Sequence, residues 1–218
     1  MTLGLRPGIS FCEVGGRLLF LDLRADRYFG LADAAERAFR GLVENPGQQD
    51  IQKVQRLYQS GLLIETTGQP PLPCPAIPLP TESLLDAGRL LPTLAERATA
   101  VTDLLRTQWR LKRRGLGAAI DRLARRKAGI SPIAASPNRL GALAGAFDST
   151  TRLMRSHDQC LVRSIAVADC LAARAIPANL VIGVRIRPFA AHCWVQIGSQ
   201  LVNDRPDQVT SYTPILLL

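Results

Sequence analysis

The run GQPPLPCPAIPLP at residues 68–80 divides this chain in two. Each of its six prolines fixes φ near about −65° and removes a backbone N–H, so neither a helix nor a central strand can cross it. Prolines at that density favour extended polyproline II, a semi-rigid spacer. The expected organisation is a unit of residues 1–67, a linker of 68–80, and a unit of 81–218. With 218 residues, 47% of them hydrophobic, the chain can bury one substantial core plus a small module. No run of 18 apolar residues occurs, so no membrane-spanning helix is expected. Ile215, Leu216, Leu217 and Leu218 are too few to span and are expected to dock on the body. The first ten residues lack the apolar core of a signal peptide. Five scattered cysteines, an odd count, fit a reducing compartment better than a disulfide framework, so a cytoplasmic location is expected.

Before the linker, residues 9–13, 17–22 and 27–31 read as three short strands, with Gly15-Gly16 and Ala25-Asp26 as turns. Asp33 is placed to cap a helix through Leu42 that Asn45-Pro46-Gly47 ends. Asp50 opens a second helix with Ile51, Val54, Leu57 and Tyr58 on one face and Gly61 as its stop, and residues 62–64 close the unit as a strand. A β-meander followed by helices predicts a winged-helix-like module. Such modules often bind DNA, but charge argues against that here. Residues 1–80 carry eight Lys+Arg against eight Asp+Glu, whereas a DNA reader needs a basic face. The whole excess of +9 lies in residues 81–218, with 19 basic and 10 acidic side chains. Much of it crowds into Arg106, Arg110, Lys112, Arg113, Arg114, Arg122, Arg125, Arg126 and Lys127, set against only Asp121. That stretch is either a solvated face or a dock for an acidic partner. It falls in a region, residues 83–127, that reads as two helices broken near Gly115-Leu116-Gly117, with a further helix over 140–147.

The chemistry concentrates between Asp158 and Asp207, where Cys160, His192 and Asp204 follow one another. A cysteine nucleophile needs a base to deprotonate it and a third group to orient that base. Leu161, Ile165, Ala168 and Leu171 keep the three-to-four spacing of an amphipathic helix that Pro177 stops. Cys160 then falls in its first turn, behind Ser156 or Asp158 as a cap, where free N–H groups and the helix dipole favour a thiolate. Arg163, one turn on, adds to this if it points the same way. Residues 180–184 and 191–197 read as strands and residues 201–204 as a third, short one. If Gly198, Ser199 and Gln200 form a three-residue loop, Trp194 pairs with Asp204, which then shares the face of His192. A two-residue turn sets Asp204 opposite Cys193 and is expected to spoil the constellation. Cys170 and Cys193 read as core residues. No CxxC or HxxxH spacing occurs, so neither a metal site nor a cofactor is expected.

The runs CLVRSIAVADCLAARAIPANLVIGVR, PFAAHCWVQ and VNDRP resemble the C-terminal half of the lasso-peptide B proteins, leader peptidases of transglutaminase-like, papain-related fold. The resemblance implies that Cys160 is the nucleophile, His192 the base and Asp204 its orienter. It implies an α+β chain: a winged-helix-like recognition module, then a cysteine protease domain. The first module is similar to the pyrroloquinoline-quinone D-like leader-recognition elements. By that analogy a precursor's leader adds a strand beside Tyr28, Phe29, Gly30 and Leu31 and lies against Ile51, Val54, Gln55 and Tyr58. The implied partners are the precursor peptide and an asparagine-synthetase-like lasso cyclase. Two other classes stay open: an acyltransferase on the same triad, and a non-catalytic winged-helix binding protein.

Overall fold

Residues 2–45, 51–86, 92–131, 133, 136–151 and 159–218 are described by the computed structural model. The expectations at Pro46, Gly47, Asp50, Ser156 and Asp158 lie outside them. Alternating side chains lay down β1 (Thr2–Leu5), β2 (Ile9–Val14), β3 (Arg17–Asp22) and β4 (Arg27–Gly30). Gly15 and Gly16 form a two-residue turn, since Val14 pairs with Arg17, and β4 lies on the far side of β3 in the order β2-β3-β4. α1 (Asp33–Glu44) follows. Asp33 is not its cap: Ala32 holds that place without a side-chain bond, and Asp33 and Glu36 sit in the first turn, where carboxylates suit the positive dipole end. α2 (Ile51–Gln59) closes at Gly61, whose N–H donates to Tyr58 O. β5 (Leu63–Thr66) then pairs with β1, a strand too short for its alternation to stand out in the sequence.

Four phenylalanines organise this unit. Phe20 stacks between Phe11 and Phe29 at 5.5 and 5.2 Å, and Phe39 of α1 meets Phe11 and Phe20 edge-on. Phe20 and Phe39 are wholly buried, each worth about 2–3 kcal/mol by area. Tyr58, which the helical spacing puts with Val54 and Leu57, is instead exposed.

Residues 67–81 carry no helix or strand. They are nonetheless held by backbone bonds: the Cys74 N–H donates to Phe11 O (2.8 Å), and Pro78 O accepts from Gln196 Nε2 (3.1 Å). The chain divides between them into two units, Met1–Pro75 and Ala76–Leu218.

The second unit opens with β6 (Glu82–Ser83). α3 (Leu94–Ala128) starts later than expected, under a capping box of Thr93 and Glu96. Its break falls at Gly115, with φ 75° and ψ 175°, backbone that a side chain would strain. After α4 (Pro137–Thr151) come α5 (Gln159–Ala172), β7 (Asn179–Ile186), β8 (Phe189–Ile197), β9 (Gln200–Leu201), α6 (Pro206–Val209) and β10 (Thr213–Leu217). The strands form one sheet in the order β10-β7-β8-β9-β6, antiparallel except where β6 joins β9. α5 packs on β7 and β8 and is covered by α3 and α4. Leu171, Leu180, Val184 and Val195 are fully buried. The C-terminal apolar residues dock on the body as expected, as an edge strand paired with β7, and Leu218 exchanges two backbone bonds with Leu180. Among the described residues no helix is long and apolar enough to cross a membrane.

Candidate active site

The expected three-residue hairpin loop is not what forms. Ile197 pairs with Gln200 and Gln196 with Leu201, so the turn is Gly198-Ser199. Gln196, fully buried, braces it by donating to Gly198 O at 2.8 Å. Continued in register, the strand would carry Asp204 opposite Cys193 and away from His192. It does not continue. The Val202 N–H still reaches Val195 O, but the returning bond, from the Val195 N–H, goes to Asn203 Oδ1 at 2.8 Å. A side chain thus replaces the next backbone acceptor, and the ladder ends at Leu201.

That exit brings Asp204 to His192 by another route. The Nε2 of His192 lies 2.6 Å from Asp204 Oδ2. Asp204 is held at several further points. Oδ1 accepts from the Arg205 N–H (2.9 Å), the Asp204 carbonyl accepts from the Ser83 hydroxyl (2.6 Å), and an Arg163 nitrogen stands 3.5 Å from Oδ2. Arg163 therefore serves the carboxylate. Asn203 also donates to Ser164 Oγ (2.8 Å), and Ser164 donates to Cys193 O (2.6 Å). This buried chain ties α5, which bears Cys160, to β8, which bears His192.

Cys160 is the second residue of α5 and half-buried. Burial opposes its ionisation. Even so its thiol is held below the ordinary value, because His192 hydrogen-bonds and attracts the thiolate and the N–H groups of Cys193 and Leu161 face it. Burial likewise disfavours a charged His192, but bonds to Asp204 and Cys160 and their negative charges win, raising it to about 9. With Nε2 given to Asp204, Nδ1 is the nitrogen left for the sulfur. The two shifts act together, each favouring a thiolate beside an imidazolium. By contrast, burial raises the thiols of Cys193 and Cys170, which stay inert.

The signs fix a pH profile. If Cys160 is the nucleophile and His192 the acid, turnover should grow as pH rises and Cys160 ionises, then fall through about 9 as His192 loses the proton a leaving amine requires. The apparent values belong to the pair. Alkylation of Cys160 by iodoacetamide needs only the thiolate, so it should show the acid limb and no alkaline fall. Matching alkaline limbs in both measurements would break this assignment.

The imidazole is walled by Tyr212 (centroids 5.3 Å apart) and by Trp194 (6.2 Å). Trp194 lies over Gly183, where a Cβ would come within 2.7 Å of its ring and 2.9 Å of Tyr212 Cβ. Gly183 thus makes room for the ring beside the base. In the sequence Asn203 and Ser164 were visible only as neighbours of Asp204 and Arg163, while nothing marked Tyr212 or Ser83. Among the described residues no cluster of His, Cys, Asp and Glu could hold a metal ion.

Of the eight residues proposed from sequence as leader-binding, Phe29, Leu31 and Val54 pack in one core cluster. Tyr28, Phe29 and Gly30 lie on β4, the outer strand of its sheet, with Leu31 just beyond. Phe29 packs into the core, as does Val54, whereas Gln55 and Tyr58 are exposed. The Ile51 side chain lies outside the described residues.

Comparison with known proteins adds two matches. The chain is 50% identical over 48 residues to the microcin J25-processing protein McjB of Escherichia coli, a stretch that is 22% of this chain and 23% of that protein. The chain therefore matches about a quarter of the length of that relative. No solved structure matches. The model of the transglutaminase-like superfamily matches residues 103–217, from α3 to β10 and across all three site residues. Both findings support the resemblance to the lasso-peptide B proteins over the part of the chain that they cover. With more than half of its length matched, the chain belongs to the transglutaminase-like superfamily.

Proposed function

We propose that this protein is a cysteine peptidase that removes the leader of a lasso-peptide precursor. The carrying observation is the His192–Asp204 pair at 2.6 Å beside a half-buried cysteine in the first turn of α5. The similarity to a microcin-processing protein supplies the substrate class, a ribosomally made peptide. In this reading the Cys160 thiolate attacks the scissile carbonyl carbon, and His192 delivers its Nδ1 proton to the leaving amine as the C–N bond breaks. A thioester remains. Water, losing a proton to the now neutral imidazole, attacks it, and the S–C bond breaks to release a carboxylate. The Met1–Pro75 unit is the leader-recognition module of this reading: β4 offers its outer edge to an added strand, and Gln55 and Tyr58 present the exposed side of α2. The freed core peptide passes to a macrolactam cyclase, and the protein works in the cytoplasm.

The test is mass spectrometry of a precursor peptide incubated with the full chain. Hydrolysis yields two fragments whose masses sum to the precursor plus one water. An acyltransferase given an added amine instead joins that amine to the carbonyl fragment with no water gained. A precursor left intact by the wild-type chain but still bound would replace the peptidase reading with a binding one.

A further inference from the structure

The arginines of α3 do not share one solvated face. Arg113, Arg114 and Arg125 point outward, and Arg113 lies over the Trp109 ring at 4.8 Å. Arg110, Arg122 and Arg126 turn inward to a single carboxylate, Asp169 of α5, at 3.8, 3.3 and 3.4 Å. On a straight helix the twelve-residue step from Arg110 to Arg122 spans about 18 Å. Both nevertheless reach the same oxygen, Asp169 Oδ2, because the chain folds back at Gly115.

A cavity of about 270 Å³ opens at this meeting point. Arg106 and Arg174 join the other three in lining it, so five guanidiniums face two carboxylates, Asp103 and Asp169. Among the described residues Arg106 has no ion-pair partner. The crowding has a cost: burial, then the charges of Arg122, Arg106 and Arg126, disfavour the protonated form of Arg110, and Asp169 offsets this only in part. An added anion would relieve that repulsion. A planar carboxylate offers two oxygens in one direction, whereas guanidiniums arriving from two helical segments and from the turn after α5 suit a tetrahedral group with oxygens on several sides. The lining holds no aromatic ring that could stack a base or grip an acyl chain.

We propose that this pocket is a binding site for phosphate-type oxyanions, large enough for a diphosphate and reading the phosphoryl groups alone. The site is separate from the Cys160 chemistry and stands whether or not the peptidase reading does.

Isothermal titration calorimetry of the full chain tests it, with pyrophosphate as the probe at low salt. Affinity should fall as salt rises. The double variant Arg110→Gln, Arg122→Gln should lose about tenfold or more, since each charge-assisted bond is worth about that. Arg113→Gln, Arg114→Gln should bind like wild type. Asp169→Asn should tighten binding several-fold, because it frees three guanidiniums from their competing carboxylate; this second variant keeps the test sharp if the double variant unfolds. Methyl phosphate is the arm that separates sources. If it binds as tightly as pyrophosphate, the natural ligand carries its phosphoryl group on a larger molecule; if it binds much more weakly, the ligand is a free diphosphate. Citrate binding as tightly as pyrophosphate would overturn the proposal. So would equal losses in the inward and outward arginine pairs, or weaker binding in a folded Asp169→Asn.

Discussion

Cys160→Ala should leave no measurable cleavage of a precursor peptide, and His192→Ala should lower kcat/KM by about 10⁴-fold or more. Both truncate side chains that are only partly buried, so circular dichroism and melting should match the wild type. Asp204→Asn should cost roughly one to two decades less than His192→Ala, because it leaves nucleophile and base in place. It should also leave a clearer mark on pH dependence. Without the Asp204 charge the imidazolium loses a large part of its support, so the alkaline fall moves below about 9 and the acid limb of alkylation moves up. Full activity in Cys160→Ala, or an unmoved profile in Asp204→Asn, would remove these residues from the chemistry.

Asn203→Ala should be the most destabilising substitution near the site, although Asn203 touches no reacting atom. It strips the Val195 N–H of its acceptor and the Ser164 hydroxyl of its donor, both buried. The Ser164 hydroxyl keeps its bond to Cys193 O, so one buried group is left unsatisfied at about 1–3 kcal/mol, which should lower Tm by roughly 2–12 °C. Cleavage should fall with it, since the bond from the Val195 N–H to Asn203 that accompanies the approach of Asp204 to His192 is lost. Ser164→Ala removes the bonds to both Asn203 and Cys193 O, and with them the tie between α5 and β8, so it should lower cleavage as well. A melting temperature unchanged in Asn203→Ala would mean that water substitutes for its amide.

Helix and strand periodicity carried much of this architecture into the sequence. The three-to-four spacing after Cys160 puts it at a helix start, and the period-two run around His192 puts that residue on a strand, as the structure has them. What failed was register. The reading assumed that backbone pairing alone would carry Asp204 to His192, and it therefore required a three-residue loop. The structure uses the shorter turn and then lets Asn203 take a ladder bond, a substitution of side chain for backbone that no alternation pattern encodes. The basic stretch misled for a related reason. Its acid, Asp169, is distant in sequence, so local charge balance could not reveal the pairing. β1 and β6 were missed because a strand of two to four residues has too few alternations to register. The leader-binding expectation rests on resemblance alone, and no local pattern distinguishes a recognition edge from an ordinary one.

The short parallel contact of β6 with β9 bears on how this chain can be taken apart. Ser83 holds the Asp204 carbonyl while Pro78 receives Gln196, whose other bonds close the β8–β9 turn and fix Trp194. The segment leaving the proline run is thus a clasp on the rim of the candidate site. A split enzyme, or a chimaera given a foreign front half, keeps that clasp only if the seam falls at or before Ala76. A seam a few residues later should slow cleavage by removing the bond from Gln196 to Pro78, and that loss could be mistaken for the want of a recognition module.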